Sequence, residues 1–156
     1  MWKTKLCINL FPSLNISTKE QITLLKQIGF DGFFIEWQPG VNVAEIRGYA
    51  DEEGMLFQSI HAQWGMTADL WRGGPKAEEG IAELCECLED CAKVKVPIMV
   101  CHCYIGFDHA EPTAIGLENY GKVVAKAKAL GVKIAFENCE QEQFLAALKN
   151  RKAQKP

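Results

Sequence analysis

Five residues with reactive or strongly polar side chains, Asn9, Glu36, His61, His102 and Glu137, each stand near the carboxyl end of a short apolar run. The runs are "LCINL", "FFIEW", "FQSIHA", "PIMVCHC" and "VKIAFE". Imidazoles and carboxylates are the groups that hold divalent cations and move protons near neutral pH. One such residue at the end of one apolar run means little. The same placement five times in succession is a pattern, and it asks how the chain would bring the five together.

If the runs are β-strands, their side chains alternate between two faces. Leu6, Ile8 and Leu10 then share one face and Asn9 takes the other. Phe33, Ile35 and Trp37 lie opposite Glu36, and His61 shares a face with Ser59 and Phe57. His102 lies with Val100 and Ile98, while Ala135 and Glu137 lie opposite Ile134 and Phe136. In parallel α/β folds ligands bind at the carboxyl ends of the strands, where the following loops and helix N-termini converge. Apolar strand bodies would build the core, and the five polar tips would meet at one site.

The intervening segments supply the helices this arrangement needs. Ser17-Thr18-Lys19-Glu20 matches a capping box, followed by Ile22, Leu25 and Ile28 at helical spacing and by Gly29 as a stop. Further helices are predicted over 43–53, closed by Gly54, over 76–93 with Ile81, Leu84 and Leu88 on one face, over 114–130, stopped by Gly131, and over 140–149. Strands are predicted over 6–10, 33–37, 57–62, 97–103 and 132–137. Regular strand–helix alternation gives an α/β fold of about five parallel βα units. Residues 1–150 form one domain, and 151–156 are a frayed polar tail.

The order of units, with "GFDGFFIEW", "SIHAQW", "VPIMVCHC" and "GVKIAFEN", resembles the xylose isomerase-like TIM-barrel superfamily. That superfamily includes sugar-phosphate isomerases and epimerases, inosose dehydratases, hydroxypyruvate isomerases and the apurinic-site endonuclease. The resemblance runs to about Leu148 and is most specific at the fifth strand, which ends in Glu137-Asn138. It implies a partial (β/α) TIM barrel and a divalent metal cofactor (Mn, Mg, Co or Zn). Glu137 matches the fifth-strand metal-ligating glutamate that also lies beside the carbons exchanging a proton. Asn9, Glu36, His61 and His102 are implied as substrate-binding, the histidines being metal ligands in the endonuclease branch.

The resemblance also implies a small sugar or sugar-phosphate substrate and proton transfer between adjacent carbons. A complete barrel has eight strands in roughly 250 residues. The chain supplies five units, and the superfamily's remaining ligands come from strands six to eight. The expectation is an enzyme truncated relative to that pattern and inactive alone, forming a homo-oligomer or completed by a second chain. Two alternatives stand beside it: an endonuclease-type, metal-dependent phosphodiester hydrolase, and a non-enzymatic remnant or half-barrel.

Composition narrows the partners. A net charge of -3 with no basic tract argues against nucleic acid, and no apolar run reaches membrane-spanning length. Seven cysteines, three of them crowded at 85, 87 and 91, suit a reducing cytoplasm and core packing better than disulfides or an iron–sulfur site. Phe11, Trp37, Trp64, Trp71 and Tyr104 near the strand ends offer either stacking faces for a sugar ring or caps on the core. "LWRGGPK", residues 70–76, reads as a plain connection or a loop over the site.

Overall fold

Five strands pair in sequence order, all parallel: β1 (Cys7–Asn9), β2 (Gly32–Glu36), β3 (Leu56–His61), β4 (Ile98–His102) and β5 (Lys133–Glu137). This computed structural model describes residues 4–11, 13–63, 67–103 and 113–137. The helix expected over 140–149, the 151–156 tail, Trp64 and Tyr104 lie outside the described residues. The helices are α1 (Thr18–Gln27), α2 (Val43–Glu53), α3 (Thr67–Arg72), α4 (Pro75–Lys93) and α5 (Ala114–Leu130). A doubly wound sheet reverses its strand order partway, whereas a barrel adds each strand to the same edge. The uninterrupted β1-β2-β3-β4-β5 order is the barrel pattern.

Local chemistry sets the helix ends. Ser17 Oγ accepts from the Glu20 amide while the Glu20 carboxylate accepts from the Ser17 amide at 2.8 Å, closing the capping box. Asn42 and Thr113 cap α2 and α5 with their side-chain oxygens. Gly54 and Gly131 end the same two helices at φ 61° and 71°, a left-handed conformation that costs a residue with a Cβ. α1 stops at Gln27, so Ile28 falls outside the buried stripe and is 62% exposed, while Ile22 is fully buried.

The core lies between the sheet and the helix layer. Phe33, Ile35, Ile60, Met99 and Cys101 from the strands meet Val43, Leu84, Leu88 and Val123 from the helices, all buried. Phe57 joins them, which corrects the simple alternation. The β2–β3 register shifts between Phe33 and Phe34, so Phe33 pairs with Phe57 but Phe34 pairs with Ser59. The extra residue at Gln58 is a bulge, and it turns Phe57 to the helix side while Ser59 and His61 keep the other face. There Phe57 stacks on Phe33 at 5.0 Å and lies under the Arg47 guanidinium of α2.

Residues 70–76 are not a loop. Leu70, Trp71 and Arg72 finish α3, and Pro75 begins α4, so only Gly73 and Gly74 connect them, at φ 78° and 84°. Leu70 and Trp71 are buried, and α5 holds their carbonyls: Asn119 Nδ2 donates to Leu70 at 2.9 Å and Thr113 Oγ1 to Trp71 at 2.5 Å. The Trp71 ring lies flat on the backbone of Gly116, where an added Cβ would come within 2.0 Å of it.

Two glycines of α5 therefore respond in opposite ways to alanine. Helix propensity alone favours alanine by about 1 kcal/mol. At Gly121, where nothing lies within 4 Å of the new methyl, Gly121→Ala is expected to stabilise the fold by about 0.5–1 kcal/mol. Gly116→Ala drives a methyl into Trp71 and is expected to destabilise by about 1–3 kcal/mol. Urea denaturation of the two variants measures both; equal effects would contradict the α3–α5 packing.

Candidate active site

The site is assembled by strand register. His102 and Glu137 are cross-strand partners on β4 and β5, and His61 pairs with Val100, one step below His102 on the same face. The main-chain ladder runs right up to these tips. Trp37 N–H donates to His61 O at 2.7 Å, Ala62 N–H to Val100 O at 2.8 Å, and Cys103 N–H to Glu137 O at 3.1 Å. The three side chains are thus carried by laddered backbone, on the face away from the helix-facing core; β3 and β4 pair on both sides and β5 with β4.

His61 Nδ1 lies 2.9 Å from the carbonyl of Ala62, which can only accept, so the Nδ1 hydrogen is fixed there. Nε2 is then the nitrogen that faces Glu137 Oε2, at 3.2 Å. Two acceptors at that distance repel unless a positive charge, a proton or a cation, stands between them. His102 Nε2 is 3.9 Å from the same carboxylate oxygen, and the two imidazole rings are 4.6 Å apart, tilted by 55°. Both histidines are largely covered while the Glu137 side chain is 49% exposed, so the cluster opens to solvent on the carboxylate side.

One ligand atom from each of the three residues falls within a 4.8 Å cluster. Nitrogen and oxygen ligands about 2.0–2.2 Å from one ion stand at most about 4.4 Å apart, so a single divalent cation fits with slight closure. Among the described residues this is the one group of three such side chains that meets the distance. The fixed Nδ1–H of His61 is the outer-shell arrangement that orients an imidazole for a metal through its other nitrogen.

Asn9 and Glu36 lie on the same sheet face but form a separate pair, Asn9 Nδ2 donating to Glu36 Oε1 at 3.2 Å. Glu36 is the β2 register partner of His61, which sets the pair beside the triad. Asn9 Oδ1 is buried with no hydrogen-bond partner, an acceptor left for a donor to reach. The aromatic candidates divide. Trp37 and Trp71 are core caps, 2% and 3% exposed, with Trp37 Nε1 donating to Asp90 at 2.8 Å, whereas Phe11 is half exposed.

The cysteines pack. Cys87, Cys91 and Cys101 are fully buried, and the Cys87 thiol is pushed far above its usual value by its hydrogen bond with Cys91 and by burial. α3 and the polar side chains of α5 that hold it escaped the sequence. The signal was present as Leu70 and Trp71 in helical register ahead of a Gly-Gly-Pro stop.

No family model and no curated protein sequence matches the chain. Solved structures do. The 3-keto-D-glucoside 4-epimerase of E. coli aligns with a TM-score of 0.69 at 18% identity, over 86% of this chain and 56% of that one. The D-psicose 3-epimerase of Clostridium cellulolyticum, solved with D-tagatose, aligns with a TM-score of 0.69 at 16% identity, over 94% and 59%. A xylose isomerase domain protein from Planctomyces limnophilus aligns with a TM-score of 0.63 at 12% identity, over 93% and 58%. The fold these structures share with the chain is a parallel α/β sheet of the TIM-barrel kind. The chain spans 56% to 59% of the length of these three structures. No helix among the described residues is long and apolar enough to cross a membrane.

If the facing acceptors form a cation site, its affinity rests on all three residues. Calorimetric titration with Co(II) is expected to show one site per chain. Glu137→Gln and His61→Ala should each weaken it by more than about a hundredfold, beyond the loss typical of an outer-shell partner. Affinity should also fall as the pH is lowered, because protons compete for the ligands. Unchanged binding in both variants would place the cation elsewhere.

Proposed function

We propose that this chain carries the metal- and substrate-binding part of a sugar or sugar-phosphate epimerase or isomerase. The observation that supports it most is the meeting of His61, His102 and Glu137 at the carboxyl edge of a barrel sheet. The solved structures of like fold, named as sugar epimerases, are what point the chemistry toward sugars.

In this proposal Glu137 takes the proton from the carbon beside a carbonyl, and a second carboxylate across the site returns one to the opposite face. His61, His102 and Glu137 hold the divalent cation, which polarises the carbonyl and its neighbouring hydroxyl. Two imidazoles beside one carboxylate favour zinc or cobalt over manganese or magnesium. Asn9 and Glu36 bind substrate hydroxyls, with Asn9 Oδ1 accepting the hydrogen it lacks. The buried free thiols suit the reducing cytoplasm.

In this proposal the second carboxylate comes from strands beyond these five, Glu36 being engaged by Asn9. β1 and β5 each pair on one side only among the described residues, and Leu56 on the inner face is 43% exposed. Open parallel edges and exposed apolar surface recruit partners. Further βα units, in the same polypeptide or in a second chain, would close the barrel; failing those, the chain would self-associate. A two-histidine, one-carboxylate set also suits hydrolysis of a phosphodiester by one zinc, but the charge of -3 fits a polyanion poorly.

The test is turnover of a panel of ketoses and their phosphates with Co(II) or Mn(II). The 156-residue chain alone is expected to be inactive. A version completed with the remaining barrel strands should epimerise at least one sugar, and Glu137→Gln should lower its kcat by about 10²–10⁴. Cleavage of abasic DNA without sugar turnover would favour the hydrolase instead. Metal-dependent turnover by the chain alone would show that five units suffice.

A further inference from the structure

Tyr120 lies in α5, outside the five strand tips, and is 6% exposed. Its hydroxyl hydrogen is shared between two carbonyls, those of Thr67 and His102, each 3.3 Å away. Its ring meets Phe136 edge-on at 5.7 Å and Trp71 at 5.1 Å. The first of these carbonyls opens α3, the second closes β4, and Phe136 immediately precedes Glu137 on β5. One side chain therefore touches the backbone of one cluster residue and the chain neighbour of another.

The peptide joining His102 to Cys103 shows what this contact does. Its carbonyl accepts the Tyr120 hydroxyl, and its N–H donates to Glu137 O at 3.1 Å. A peptide unit is planar and rigid, so holding the oxygen also aims the N–H. The same unit thus ties the end of β4 to the end of β5, and with it the 3.9 Å separation of His102 Nε2 from Glu137 Oε2. That pair is the looser of the two contacts to Glu137, and it is the one with the least strand left above it.

We propose that Tyr120 is the positioning residue of the site, setting the spacing of His102 and Glu137 through the 102–103 peptide. The proposal rests on the cation site described above. Partners that orient metal ligands in this way typically account for about 10–100-fold in affinity. Phenylalanine keeps the ring and its contacts with Trp71 and Phe136 and removes only the hydroxyl, so Tyr120→Phe removes the contacts to the His102 and Thr67 carbonyls, and exchange at Cys103 reports the first of them.

The experiment compares Tyr120→Phe with Val123→Ala, a fully buried position one turn along the same helix, in the full chain. Co(II) affinity, the Co(II) visible spectrum, amide exchange at Cys103 and thermal melting are read for each. Tyr120→Phe is expected to weaken Co(II) about tenfold or more, to change the visible bands and to speed exchange at Cys103. Val123→Ala should lower the melting temperature at least as much while leaving affinity and spectrum as in the wild type. Wild-type affinity, spectrum and Cys103 exchange in Tyr120→Phe would overturn the proposal. If the wild type binds no Co(II), the cation site fails, and Cys103 exchange alone decides the role of Tyr120. Should Tyr120→Phe fail to fold, Phe136→Leu at the half-exposed β5 position takes its place, with weakened Co(II) supporting the clamp and unchanged Co(II) rejecting it.

Discussion

The close approach of His61 Nε2 and Glu137 Oε2, opposed at 3.2 Å, is the contact on which the rest of the structure depends. His61 Nδ1 lies 2.9 Å from the Ala62 carbonyl, so the opposite nitrogen is the one turned to the carboxylate, a contact that a proton or a cation between the two atoms makes favourable. Neither strand can relieve the opposition by sliding, because β3, β4 and β5 are locked in register by their ladders up to the last residue. Positive charge is the remaining way to make the arrangement favourable, and with His102 beside it a metal ion satisfies three groups at once.

The rest of the fold serves that register. The sequential parallel order puts β3, β4 and β5 side by side, so three consecutive tips can share an ion without any loop reaching across. The helix layer buries one face of the sheet and leaves the other to the polar residues. The bulge at Gln58 reconciles two demands on β3, sending Phe57 into the core against Phe33 while keeping His61 on the open face. Without the extra residue, strict alternation would place Phe57 and His61 on the same side. Phe57 would then lose its stacking partner, a contact worth about 0.5–1.5 kcal/mol beyond the area it buries.

Much of this was legible in the residues. The capping box at Ser17 and the glycines at 54 and 131 are nearly sufficient to place α1, α2 and the end of α5, because a Cβ is costly at a left-handed cap. The polar tips were legible for the same reason, being period-two exceptions in otherwise apolar runs. What sequence did not reveal is long-range. The bulge depends on pairing with β2, which no local pattern records. α3 is six residues long and is held by Thr113 and Asn119 some forty residues away in the chain, so propensity alone says little about it. The division of the tips into a triad and an Asn9–Glu36 pair is likewise a fact of register. It places the two histidines within ligand distance of Glu137, where sequence had assigned them to substrate with metal ligation as the alternative.

Among the described residues β5 is an edge strand, and that position gives Glu137 its exposure. Glu137 stands on the last described strand, with its side chain half in solvent, where a closed barrel would have further strands beside it. The candidate ion site nevertheless draws its three side chains from β3, β4 and β5 alone. X-ray absorption at the cobalt edge of the Co(II)-loaded chain tests that most directly. Two imidazole-type nitrogens and carboxylate or water oxygens at about 2.0–2.2 Å are expected. A shell of oxygens without imidazole scattering, or sulfur at about 2.3 Å, would contradict the account.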